Sequence, residues 1–146
     1  VLTVEPELIG AYVKTGKLKL VFRDVLNHGE RSDRASEAAA CAGKQGKFWE
    51  MHALLFEKMS ETWGASGSDA LLALMKQRAS EIEGLDQAAF AQCVDGRETL
   101  AQLKAADAEQ RERGIITQPI FEIGGQRIVG TRSFDVFAQT IDAMLP

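Results

Sequence analysis

An α/β chain in which a long helical block separates two sheet-forming ends is the fold class this sequence predicts, and three observations predict it. Apolar residues alternate with basic ones near the N-terminus, Gly124-Gly125 sits between two short apolar runs, and residues 32–113 carry helical periodicity almost without a break. The 146 residues amount to one domain's worth of chain. A chain of that size buries roughly 68–70% of its unfolded surface, so a core forms without metals or a dense disulfide framework. With 45% hydrophobic and 26% charged residues, the composition is that of a folded globular protein.

Val4, Leu8 and Tyr12 recur at steps of four, with Ile9 and Val13 widening the stripe and Gly16 as a stop, which predicts a short amphipathic helix. Lys17 to Arg23 alternates Leu18, Leu20 and Phe22 against Lys17, Lys19 and Arg23, the period of a strand. After Asn27-His28-Gly29, Ser32 reads as the N-cap of an Ala-rich helix through Ala35 to Lys44, ended by Gly43 or Gly46. Phe48, Met51, His52, Leu55, Phe56 and Met59 then follow the 3.6 period of a further helix. Ser60 to Gly67 reads as a loop.

The next helix opens at Ser68 or Asp69, buries Leu71, Leu72, Met75, Ala79 and Ile82, and breaks at Gly84. Asp86 caps its successor, with Leu85 and Phe90 placed as a hydrophobic staple. Arg97 to Arg113 predicts a solvent-facing helix closed by Gly114. Pro119 to Ile123 and Gln126 to Val129 flank the two glycines as a β-hairpin, and Ser133 caps a last helix that buries Phe134, Phe137, Ala138, Ile141 and Leu145. No internal repeat occurs. The two sheet-forming ends must meet in space, so the helical block reads as an insertion.

Seventeen Lys and Arg against twenty-one Asp and Glu leave a net charge of −4, far from the basic footprint of a nucleic-acid binder. No stretch approaches the 18 or so apolar residues of a membrane-spanning helix, and no leader-like segment is present. The first residue is Val1 and not methionine, so that absence does not place the chain in the cytosol.

Cys41 and Cys93 read either as two small buried hydrophobes or as a disulfide. Their spacing excludes a Cys-x-x-Cys redox pair. His28 lies in a polar turn and His52 on an apolar helix face, a core-edge histidine making one hydrogen bond. Neither has a second ligand at i+4, so no metal site is predicted. Asp24 reads as a carboxylate facing a ligand crevice or, more simply, as a strand-end cap. Pro119 fits the first residue of an edge strand; cis peptides occur at only about 6% of X–Pro bonds.

Three runs carry a family likeness: Tyr12-Val-Lys-Thr-Gly-Lys-Leu-Lys-Leu-Val-Phe-Arg-Asp24, Ala38-Ala-Ala-Cys-Ala-Gly-Lys-Gln-Gly-Lys-Phe-Trp-Glu-Met-His52, and Gly114-Ile-Ile-Thr-Gln-Pro-Ile-Phe-Glu-Ile-Gly-Gly-Gln-Arg-Ile-Val-Gly130. Together they resemble the DsbA-like thiol-disulfide oxidoreductases over nearly the whole chain. The resemblance implies a thioredoxin-like fold with an inserted all-helical domain: residues 1–31 and 114–146 form the thioredoxin-like part and 32–113 the insertion. It implies that Pro119 is a cis-proline contacting substrate together with Gln118, where the family more often has Thr or Val. It also implies that Cys41 and Cys93 form a structural disulfide.

In that family a strand and a Cys-x-x-Cys precede the segment that here begins at Val1. The resemblance therefore implies an N-terminally truncated fold whose first strand is missing and whose catalytic cysteines lie upstream, with no catalytic residue in these 146. The expected activity of the parent protein is disulfide exchange with thiol-containing proteins or peptides, without cofactor, served by a redox partner protein. The expected location is extracytoplasmic in a bacterium, with a membrane anchor upstream as one arrangement and a strand-exchanged homodimer as another. Two further readings stand beside this one: a redox-inactive thioredoxin-like peptide-binding or chaperone module, and a kappa-type glutathione transferase or isomerase.

Overall fold

The computed structural model describes residues 1–145. In chain order it comprises α1 (Val4–Leu8), a π-helical turn (Ile9–Val13), α2 (Glu30–Gly43), α3 (Phe48–Glu57), α4 (Met59–Gly64), α5 (Ser68–Ala79), α6 (Gln87–Asp95), α7 (Leu100–Glu112), β1 (Ile120–Ile123), β2 (Gln126–Val129) and α8 (Phe134–Asp142).

Two hydrophobic clusters follow from this order. In the helical block, α2 is central: its small residues Ala38, Ala39, Cys41 and Ala42 are buried, which lets α3, α5 and α6 approach closely with Met51, Met75, Ala79, Phe90 and Val94. Asp33, Arg34 and Glu37 of α2 are also buried. Each has partners. Lys104 Nζ bonds Asp33 at 2.8 and 2.9 Å, Arg34 donates to Ser68 Oγ and to the Val94 carbonyl, and Arg97 holds Glu37.

The second cluster joins the chain ends: Leu8 and Tyr12 pack with Phe137 and Ile141 of α8 and with Phe121, Ile123 and Ile128 of the hairpin. Phe121 meets Phe137 edge-on, ring centroids 4.6 Å apart. β1 and β2 pair antiparallel, Ile120 opposite Val129 and Ile123 opposite Gln126. Gly124 (φ 53°) and Gly125 (φ 87°) supply the two left-handed residues that such a two-residue turn demands. Met144 lies so close over Gly124 that a Cβ there would overlap its sulfur.

Four details differ from the sequence expectations. The predicted strand at Lys17 to Arg23 is not one: residues 18–25 belong to no ladder. Alternation specifies a strand only where a neighbour supplies hydrogen bonds, and the two-stranded sheet contains only β1 and β2. Side chains hold the far end of that segment instead, the Leu26 N–H donating to Asp107 Oδ1 at 2.9 Å and Asn27 Nδ2 to the Ile116 carbonyl at 3.0 Å. The expected loop at Ser60 to Gly67 contains α4, whose Thr62 and Trp63 face the rest of the fold. α2 starts two residues before Ser32, whose hydroxyl accepts the His28 N–H and so orders the turn ahead of the helix. At α8, Ser133 occupies the N-cap position without a side-chain bond, whereas Asp86 accepts the N–H groups of Ala88 and Ala89 at the start of α6.

Candidate functional site

An open groove of about 220 Å³ lies between the 22–28 segment and helices α2, α3 and α4, with Gln118 at its mouth. Phe22, Leu55, Phe56, Met59 and Trp63 make its walls apolar. Phe56, Met59 and Trp63 are each more than a third exposed, an unusual outlay of large apolar surface on one side of a small protein.

Four polar residues flagged in the sequence come together here: Asp24, His28, His52 and Gln118. The Ser36 hydroxyl donates to Asp24 Oδ1 at 2.5 Å. Burial nevertheless holds the Asp24 carboxyl above the ordinary aspartate range, outweighing the bond from Ser36 and the charge of His52. His52 is almost fully buried, its ring 4.6 Å from Phe22 and 5.0 Å from Phe56, and its one polar contact is Nε2 to Glu5 Oε2 at 3.3 Å. At the rim, the Gln118 amide lies 3.4 Å from His28 Nε2, to which it donates when the ring is neutral with its proton on Nδ1. His28 stands edge-on to Trp63, and the Arg31 guanidinium covers that indole from 5.5 Å while donating to the Trp63 and Ala65 carbonyls.

Gln118 and Pro119 are exposed, and the peptide bond between them is cis. They lead directly into β1, whose side away from β2 has no strand partner among the described residues. The groove and this open edge adjoin through Gln118. Cys41 and Cys93 lie elsewhere, in the helical core, bonded to each other across α2 and α6. Among the described residues no group of three or more His, Cys, Asp and Glu side chains is placed to hold a metal ion.

Sequence reasoning missed Phe22, Arg31, Ser36, Phe56, Met59 and Trp63 as groove residues. Trp63 left one trace: a large aromatic inside a stretch otherwise composed like a loop.

An inserted helical block, a closing hairpin and a proline at the head of β1 define a DsbA-like thioredoxin fold. Residues 2–143 match the family model described as Thioredoxin, and the chain belongs to that family. The crystal structure of Wolbachia pipientis alpha-DsbA1 superposes with a TM-score of 0.77 at 22% identity, covering 97% of this chain and 75% of that one. At that identity the likeness is one of fold. No curated protein sequence matches the chain.

Proposed function

We propose that this chain is the polypeptide-binding body of a DsbA-like thiol-disulfide oxidoreductase. The observation that carries the reading is the meeting of the exposed Gln118-Pro119 pair with an apolar groove, in a chain of the thioredoxin family. A polypeptide segment that passes Gln118 and Pro119 lays its side chains into the adjacent groove. Gln118 and Pro119 are the residues that meet the substrate backbone.

Exchange itself runs by attack of a thiolate on a disulfide sulfur, through a mixed disulfide that expels the second sulfur as thiolate. The dithiol for it is not among these 146 residues, whose two cysteines are bonded to each other. What these residues do is align the substrate chain. The buried Cys41–Cys93 bond supports an extracytoplasmic home, since such bonds persist in oxidising compartments.

A reduction assay with insulin and the full-length gene product tests the reading. Accelerated precipitation of the insulin B chain is expected. Polypeptide binding without acceleration favours the second reading, a redox-inactive binding module, which the absence of a free cysteine among the described residues supports.

A further inference from the structure

We propose that His28 is a positioning residue: its imidazole fixes the Gln118 amide and so sets whether a bound polypeptide meets the oxygen or the nitrogen of that side chain. The inference rests on the polypeptide-binding reading above and adds which backbone group the site selects.

His28 is exposed, yet it is held from several sides. Its backbone N–H donates to Ser32 Oγ at 3.1 Å. Its neighbour Asn27 donates to the Ile116 carbonyl at 3.0 Å and accepts from Arg111 at 2.9 Å, which ties the turn to the residues just before Gln118. The ring stands edge-on to Trp63 with centroids 4.9 Å apart, and Arg31 covers that indole while bonding the Trp63 and Ala65 carbonyls. Ordering an exposed side chain costs conformational entropy, and these contacts offset it, leaving Nε2 in a defined place beside Gln118.

That contact has a direction. With the ring neutral and its proton on Nδ1, Nε2 accepts from the Gln118 amide nitrogen across 3.4 Å, which leaves Oε1 as the end of the amide that a peptide N–H meets. Protonation puts a hydrogen on both ring nitrogens, so Nε2 becomes a donor and the amide must turn over to offer it Oε1. The amide nitrogen then faces the polypeptide and donates to a carbonyl instead. Histidine is the side chain that ordinarily titrates between about pH 5 and 8, so the reversal falls within that window. The other charged or titratable groups lining the groove are Arg31 from α2, Asp24 from the 22–28 segment and His52 from α3, and Arg111 of α7 reaches the adjacent Asn27. Asp24 and His52 hold other partners, Ser36 and Glu5, so His28 is the titrating group that touches Gln118.

The test is calorimetric titration of the full-length gene product at pH 8 and pH 5 with a capped Ser/Ala heptapeptide that has no titratable group and carries a central leucine to fix its register in the apolar groove. Two analogues are N-methylated at odd or at even residues, and one of them loses the N–H that meets Gln118. At pH 8 that analogue is expected to bind about fivefold more weakly than the other, the order of one net hydrogen bond. At pH 5 the two should bind alike. In His28→Leu, and separately in Gln118→Ala, the ratio of the two affinities should no longer change with pH. A ratio independent of pH in the unaltered protein overturns the proposal, as does a pH-dependent ratio that survives in either variant; both results leave the polypeptide-binding reading standing. Failure of all three peptides to bind at either pH overturns both.

Discussion

Arg97 grips Glu37 with two parallel bonds of 3.1 Å, Nε to Oε1 and Nη2 to Oε2, and the carboxylate it holds has no exposed surface. The same guanidinium reaches Glu30, so one residue ties the α6–α7 connection to two turns of α2. Arg97 does this from a left-handed backbone conformation (φ 50°), uncommon for a residue with a side chain. Arg97→Ala strands a buried charge with only Arg34 left, at 3.5 Å. It should cost about 3 kcal/mol, the low end for breaking a buried pair, measured by urea unfolding. Adding Glu37→Gln should recover part of the loss.

The Cys41–Cys93 bond closes 52 residues of sequence separation inside the helical core. Chain-entropy arithmetic gives about 4 kcal/mol for a loop of this size. Denaturant unfolding of Cys41→Ala/Cys93→Ala should show a loss approaching that value. Polypeptide binding at the groove should persist wherever the variant remains folded, because neither cysteine lines the groove.

Asp107 anchors the 18–27 segment to α7. Burial would raise its carboxyl, but the bonds from Arg111 and from the Leu26 N–H, with the charges of Arg111 and Lys104, hold it below the ordinary range. A carboxylate depressed in the folded state contributes stability above its unfolded value near about 4, and that stability is lost as pH falls through the folded value. Asp107→Asn should therefore be less stable than the parent at pH 7, with the gap closing on acidification.

Asp24 predicts the opposite slope. Its folded value is raised by burial, so the folded state binds the proton more tightly, and parent stability falls as pH rises from the ordinary aspartate value through the folded one. In unfolding measurements from pH 3 to pH 7, the stability of Asp24→Asn relative to the parent should increase with pH.

Local signals made much of the fold legible. Two glycines between apolar runs specify the hairpin because they alone take its left-handed turn, and Asp86 specifies the start of α6 because its side chain satisfies N–H groups two and three residues on. The segment after Gly16 was misread as a strand because alternation records which faces are apolar, while pairing depends on a distant neighbour. The groove was legible only in part: Asp24, His28, His52 and Gln118 stand out by residue type, and the resemblance singled out Gln118 with Pro119. What joins them does not stand out, because Phe22, Ser36 and Trp63 come from separate segments and only the fold places them side by side.

The central claim is that polypeptide docks at Gln118 and Pro119, beside the groove. Hydrogen exchange read by mass spectrometry, with and without saturating insulin B chain, tests it most directly. The account predicts slowed exchange in residues 117–123 and 22–28, with α5 and α6 unchanged. Protection confined to the separate hollow at Leu2, Pro6 and Trp49, or none in 117–123 at saturation, would contradict it.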